Sequence, residues 1–390
     1  MQLHLDRHRQ AFADNVRSWL AAHVPPTPLP SVNTAEGQAS HRQWERTLFA
    51  AGFSGLGWPV EFGGAGLDPV MEAVFNEEYV RAGAPERLNR LGLGLAGPAI
   101  IAFGDDEQKS RWLRRILTCE DVWCQGFSET EPGSDLAAVR TGAERDRDCF
   151  VVNGQKTWTS VSAWADWMFA LVRTRPGSTG RTGLTYLMIP MDLAGIEVRP
   201  LQQVSGSAGF AEVFFTDVRV PAQNVLGEEG DGWRIAMATL GFERGGGVAQ
   251  PARFDRDFAN LVDLVHLAGL ATDQIIRDQV ASRYVETQVF RRFFQHTVTR
   301  LEAGKPVGPV ASLSKLYWSQ MEVRTFETAL DVLGDRAEVL DEPTDTPLAR
   351  ILPRKYWYSR ASEIYAGTTE VQKNIIAERL LGLPKEPRWN

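Results

Sequence analysis

The hydrophobic period of this chain changes twice, and that change bounds its architecture. Before residue 120 apolar residues recur at helical spacing: Phe12, Val16 and Leu20 repeat at four, and Trp44, Leu48 and Phe49 follow a proline-rich break at residues 25–30. A Gly/Pro loop, Gly55 to Leu67, precedes further helical patterns over Met71 to Arg81 and Asp105 to Leu117. Beyond residue 120 the period shortens. Met168 to Arg173, Leu184 to Pro190, Ile196 to Arg199 and Glu212 to Val220 read as strands parted by Gly, Pro and Asp. Phe150-Val151-Val152 and Lys156-Thr157-Trp158-Thr159 flank Asn153-Gly154, which predicts a two-residue hairpin turn there. After Gly232 the helical period returns. It closes with a helix over Val371 to Leu381, with Thr369 and Gln372 at capping-box spacing and Gly382 and Pro384 beyond it. The expectation is an α+β chain: helices over 1–120, a small antiparallel β-domain over 121–230, and helices over 231–390.

Charge and composition exclude several classes. The 42 basic and 49 acidic residues leave a formal charge of −7, which argues against a nucleic-acid surface. The first ten residues, MQLHLDRHRQ, hold no apolar signal core, and no stretch approaches a membrane-spanning run. A cytoplasmic protein is expected. Cys119, Cys124 and Cys149 are too few and scattered for a disulfide framework or a zinc site, and read as small buried hydrophobes. His4 and His8 have helical spacing but no acidic or thiol partner, so no metal site is expected. Gly92-Leu93-Gly94-Leu95-Ala96-Gly97 matches a dinucleotide fingerprint. The polar Pro85 to Arg90 before it cannot form the buried strand that such a site needs, so the match reads as close packing of small residues.

Two segments carry chemistry. Residues 123–135, WCQGFSETEPGSD, form a hydroxyl- and glycine-bearing loop whose backbone N–H groups can meet a pyrophosphate or the polar edge of a ring. Residues 153–160, NGQKTWTS, place Trp158 as a flat surface suited to an isoalloxazine. By composition alone the same segments also describe a capped loop and a core tryptophan.

The whole chain resembles the acyl-CoA dehydrogenase family, motif after motif in order. The resemblance rests on Gly55 to Leu67, the run Phe103 to Lys109, the segment Trp123 to Asp135, the strand FAEVFFTDVRVP from Phe210 to Pro221, and IYAGTTEVQKNIIAERLLGLP from Ile364 to Pro384. It implies an N-terminal helical domain, a middle β-domain and a C-terminal four-helix bundle, with FAD between the last two. It implies flavin contacts at Phe127, Ser128, Gly133, Ser134, Trp158, Thr159, Ser160, Thr368 and Glu370, with Ser134 at the pyrophosphate, Trp158 stacking and Ser160 near flavin N5. Ser134, Arg244, Tyr365, Ala366 and Gly367 would meet the acyl-CoA. The usual E-P-G-A-G-S-D stands here as Glu129-Thr130-Glu131-Pro132-Gly133-Ser134-Asp135, one glycine short.

The reaction that the resemblance implies needs a carboxylate at the substrate α-carbon and donors at the thioester oxygen, while the flavin accepts the β-hydride. Many members carry the base in I-Y-E-G-T, where this chain has Ala366. Another branch places it on a bundle helix in a motif like L-E-R, which corresponds to Leu240-Gly241-Phe242-Glu243-Arg244. Glu243 shares a helix face with Ala236, Thr239 and Leu240, a mostly apolar or small stripe that would desolvate a carboxylate and raise its pKa. The alternative is a surface glutamate paired with Arg244. Ala366 keeps the backbone N–H that donates to the thioester in the family.

Two signatures of homotetrameric members, R-x-x-F-G and Q-x-x-G-G-x-G, are missing near Thr272 to Ile276 and Leu330 to Asp335. The chain end looks like actinobacterial-type members, some of which are α2β2 complexes. A homotetramer and a heterotetramer with a related subunit both stay open, with an electron-transferring flavoprotein as the implied electron acceptor. Branched, bulky or steroid-derived acyl groups are the expected substrates. An oxidase or monooxygenase on the same scaffold, and an inactive assembly subunit, are the competing readings.

Overall fold

Side-chain caps set the helix boundaries. Asp6, Thr34, Asp68 and Asp105 each precede a helix and accept from the N–H three residues on, of Arg9, Gly37, Met71 and Gln108. Each cap is worth about 1 kcal/mol. They open α1 (Arg7–His23), α2 (Ala35–Ala50), α3 (Pro69–Arg81) and α5 (Asp106–Leu117); α4 (Gly97–Phe103) lies between the last two. The computed structural model describes residues 6–206, 208–246, 251–338 and 347–385, with only the backbone of residues 243–246.

Seven strands follow: β1 (Trp123–Gly126), β2 (Gly142–Asp146), β3 (Cys149–Ser160), β4 (Trp167–Arg173), β5 (Leu184–Pro190), β6 (Ile196–Leu201) and β7 (Phe210–Pro221). Their order is β1-β4-β2-β3-β7-β6, with β5 also on β4. Two sequence expectations are corrected here. The sheet is mixed, because β1 runs parallel to β4 with Trp123 opposite Trp167, the long connection between them returning the chain in the same direction. The hairpin turn is Arg147-Asp148, joining β2 to β3, with Arg147 at φ +59°. Asn153 and Gly154 lie inside the unbroken β3, where the register against β7 shifts. Asn153 is held there by Asp217, donating to its carboxylate and accepting from its N–H. The Asn-Gly pair thus makes a bulge, and Gly154 at φ +144° lies so close to Thr141 that a Cβ would overlap it.

The C-terminal region holds α6 (Gly232–Gly246), α7 (Pro251–Leu267), α8 (Gln274–Glu302), α9 (Val310–Leu333), α10 (Pro347–Ser359) and α11 (Thr369–Ile375). Leu261 and Leu264 of α7, Ile276 of α8, Phe326 and Val332 of α9 and Leu352 of α10 share one core, so α7 to α10 form the expected bundle. The last helix begins differently from expectation. Thr368, extended at ψ 162°, is the cap and accepts from Val371 N–H, so Thr369 and Gln372 form no capping box.

A larger core joins the N-terminal helices, the sheet and α6 through Trp58, Trp112, Trp123, Phe169, Tyr186 and Ile235. The glycine-rich run lies in it. Gly92–Ala96 is a π-helical turn leading into α4, with no strand before it, and a Cβ on Gly97 would stand 1.9 Å from the Trp58 ring. Close packing therefore accounts for Gly97. Cys119, Cys124 and Cys149 are buried and free. Among the described residues no helix is long and apolar enough to cross a membrane, and no group of three His, Cys, Asp or Glu is placed to hold a metal.

Gly97→Val should overpack this junction and lower stability by about 1–3 kcal/mol. Thermal melting checks it; an unchanged Tm would show that the Trp58 contact is soft.

Candidate active site

The loop after β1 is held from beneath by a buried ion pair. The side chain of Lys156, on the inward face of β3, is fully buried, and its Nζ lies 2.8 Å from Glu129 Oε1. It also donates to the carbonyls of Phe127 at 3.2 Å and Leu171 at 2.7 Å. Glu129 accepts two backbone N–H groups as well, from Arg140 at 2.7 Å and Thr141 at 3.0 Å. The pair is fully satisfied, as a buried pair must be. Burial pulls the Lys156 ammonium down to about 8 against the opposing charge of Glu129. Burial pushes the Glu129 carboxyl up, but Lys156 and the N–H donors outweigh it and hold the group below its ordinary value. Thr157 N–H donates to Ser128 O at 2.9 Å, so the loop and β3 are joined at the backbone too.

Above this anchor the sequence-derived residues come together. Phe127 is buried edge-on to Phe169 and Tyr186, at 5.8 and 5.9 Å between centroids. Tyr186 reaches α6 through a 3.3 Å contact between its hydroxyl and Thr239 Oγ1. Gly133 and Ser134 are exposed further along the loop, and Gly133 has open space where a Cβ would stand. Trp158 is 61% exposed at φ +56°, an uncommon conformation for a bulky residue, set by the register shift between Lys156 and Thr159. Its one ring neighbour among the described residues is Phe210, edge-on at 6.1 Å. Beside it Thr159 Oγ1 is buried with no hydrogen-bond partner, and Ser160 is half-buried at the strand end.

An exposed indole face, an orphaned hydroxyl beside it and a loop of exposed glycine and serine fit a flavin dinucleotide. They supply a stacking surface, a donor for a polar ring edge and an N–H-bearing turn.

A second group lies at the end of the bundle. Ala366 and Gly367 are consecutive left-handed residues, φ +53° and +88°. Their carbonyls both accept from Gln372 Nε2, at 2.9 and 3.3 Å. No acceptor among the described residues bonds the N–H of Ala366 or Gly367. Thr368 caps α11, Glu370 is exposed in its first turn, and Thr369 Oγ1 is buried without a partner. Tyr365 packs on Trp318 at 6.2 Å, and burial with the nearby Glu322 carboxylate pushes its phenol up to about 12. Among the described residues no hydrogen bond links this group to the sheet group.

On α6, Ala236 and Thr239 are buried and Leu240 is half-buried, so that face is covered as the sequence implies. The side chains of Glu243 and Arg244 lie outside the described residues. Sequence reading missed the Lys156–Glu129 pair, although a lysine at an inward position of an alternating strand is a signal for a buried partner. Glu322, buried beneath Tyr365, was missed because its partners lie 40 and 69 residues away.

Comparison with known proteins gives three matching family models: acyl-CoA dehydrogenase N-terminal domain over residues 6–120, middle domain over 124–218 and C-terminal domain over 230–381. The chain is 41% identical to acyl-CoA dehydrogenase IpdE1 of Mycolicibacterium smegmatis, over 97% of this chain and 98% of the relative. It is 42% identical to IpdE1 of Mycobacterium tuberculosis, over 90% of each. Among solved structures it resembles the Tcur3481–Tcur3483 steroid ACAD, with a TM-score of 0.85 at 25% identity over 99% of this chain and 100% of the other. It also resembles the ChsE4–ChsE5 complex from Mycobacterium tuberculosis, with a TM-score of 0.84 at 28% identity over 99% of this chain and 100% of the other.

Lys156→Met should cost about 3–5 kcal/mol, because it leaves Glu129 buried and unpaired. The double variant with Glu129→Gln should recover part of that loss. Because the folded-state pKa of Glu129 is depressed, its contribution is complete above the ordinary carboxylate range and is lost as pH falls through the folded value. Melting curves from about pH 6 to 3 should therefore be flatter for the double variant than for wild type; equal slopes would remove Glu129 from the acid response.

Proposed function

Because the chain belongs to the acyl-CoA dehydrogenase family, an oxidoreductase family whose members are FAD flavoproteins, we propose that it carries out α,β-dehydrogenation of an acyl-CoA thioester with Glu243 as the base. FAD bound at the sheet site supplies the acceptor for the β-hydride. Phe127, Ser128, Gly133, Ser134, Trp158, Thr159 and Ser160 would hold it, with Thr368 and Glu370 completing its wall. Trp158 stands free to stack, and the unpaired Thr159 hydroxyl can meet a polar ring edge.

The observation that carries this reading is the turn at Ala366. Its side chain cannot take a proton, while its N–H has no acceptor among the described residues. The turn therefore suits a hydrogen bond to the thioester oxygen as negative charge develops there. The proton then needs a carboxylate from elsewhere. In sequence Glu243 continues the stripe of Thr239 and Leu240, whose own side chains are covered, and a carboxylate on such a stripe would be desolvated enough to favour a base. Tyr365, Gly367, Ser134 and Arg244 would border the acyl-CoA.

Bulky, branched or steroid-derived acyl groups are the proposed substrates, in keeping with the steroid ACAD among the similar structures. Two of those structures are complexes of unlike chains, which supports pairing with a related subunit. The electrons would pass to an electron-transferring flavoprotein in the cytoplasm. The functional divisions are taken at 1–120, 121–230 and 231–390.

Anaerobic titration with short, long, branched and steroid acyl-CoAs should bleach the flavin with bulky members of the set; no bleaching with any would sink the dehydrogenase reading. Glu243→Gln should slow bleaching by about 10²- to 10⁴-fold at unchanged flavin content, and a wild-type rate would remove Glu243 as base. The chain purified alone should hold little flavin. Full occupancy and turnover would count against a required second subunit.

A further inference from the structure

Beneath the Ala366 turn lies a buried polar chain that the proposed reaction does not yet use. Glu322 of α9 is 4% exposed. One carboxylate oxygen accepts from Arg253 of α7, and the other accepts from the Ser362 hydroxyl. Ser362 Oγ lies 3.1 Å from the Tyr365 hydroxyl. An ionised carboxylate offers no proton, so Ser362 must donate to Glu322 and Tyr365 must donate to Ser362. The raised pKa of Tyr365 keeps the phenol protonated for that role. Lys315 Nζ donates to Ser362 O at 2.7 Å and lies 6.0 Å from the centre of the Tyr365 ring. Arg253 and Ser362 donate directly to the Glu322 carboxylate, and Tyr365 reaches it through Ser362.

The residue immediately after Tyr365 is Ala366, at φ +53°. A left-handed alanine costs roughly 1–2 kcal/mol and persists only where neighbours hold it. Gln372 holds the turn from its C-terminal side through the two carbonyls. The Glu322 chain holds it from the N-terminal side through Tyr365. Between the two anchors the Ala366 N–H has nowhere to relax.

Building on the dehydrogenase reading, we infer that Glu322 is a positioning residue. Through Ser362 and Tyr365 it fixes the left-handed turn that points the Ala366 N–H at the thioester oxygen.

Glu322→Gln takes from Arg253 the carboxylate it is paired with and risks misfolding, so the test rests on Ser362→Ala and Tyr365→Phe in the flavin-loaded protein, with any partner subunit it requires. Stopped-flow reduction uses the acyl-CoA that bleaches wild type fastest. The limiting rate should fall about tenfold in each variant, the worth of one net hydrogen bond. Half-saturation should move less than about twofold for Ser362→Ala, which the acyl-CoA does not border, and the double variant should be little worse than either single, as one chain requires. Cinnamoyl-CoA gives a second readout that needs no turnover: its absorption moves to the red when the thioester oxygen accepts strong hydrogen bonds. The variants should bind it with a smaller red shift than wild type. Wild-type rates in both variants, or an undiminished red shift with only a lower Tm, would overturn the inference and leave the dehydrogenase reading standing. A wild type that no acyl-CoA bleaches would overturn that reading, and this inference with it.

Discussion

The Lys156–Glu129 pair is the interaction on which the candidate cofactor loop of this protein depends. A lysine ammonium in a dry sheet interior is costly unless every proton finds an acceptor. Here the three acceptors are the Glu129 carboxylate and the carbonyls of Phe127 and Leu171, so one cation ties β3, β4 and the loop after β1 together. That loop leaves the sheet with its direction already determined. Phe127 is turned into the core, Ser128 is bonded to Thr157, and the glycine and serine beyond are left outside. The loss of a glycine from the loop is tolerable on this view, because the anchor lies below the backbone that would approach the phosphates.

Strain and support are paired at both candidate surfaces. Trp158 and Ala366 each hold a positive φ that their side chains disfavour. At Trp158 the buried Lys156 lies two residues back in the same strand, and the register shift of β3 between Lys156 and Thr159 throws the indole outward. At Ala366 the support comes from Gln372 on one side and Tyr365 on the other. Each exposed group is backed by a buried polar one, which converts an awkward local conformation into a rigid one. The two surfaces communicate with the rest of the molecule differently. The sheet site reaches α6 through the aromatic contact of Phe127 with Tyr186 and the Tyr186–Thr239 hydroxyl contact. The turn is fastened instead to α7 and α9 through Arg253 and Glu322.

This division would suit the proposed mechanism, in which the base and the oxyanion donor stand on different elements. Alanine at position 366 keeps a backbone N–H there, and on the proposed reading its usefulness as a donor would depend on how well the turn is held. The hydrogen bonds of Glu322, Ser362, Tyr365 and Gln372 would hold it.

Helix and strand placement was legible because the apolar period, the Asp and Thr caps and the Gly/Pro breaks are local signals. Asn153-Gly154 was misread for the same reason: the dipeptide favours positive φ in a turn and in a bulge alike, and only β7 lying across both halves of β3 decides between them. Thr368 rather than Thr369 is the cap, and Gln372 instead donates back to the Ala366 and Gly367 carbonyls. The sequence by itself determined the order of helices, sheet and bundle, the flavin-type segments and the absence of a carboxylate at position 366. Tertiary structure alone decided that Lys156 meets Glu129 27 residues away, and that Glu322 joins Ser362 across 40. Such pairings follow from how whole elements pack, because burial forces each charged group to find its partner wherever the fold brings one.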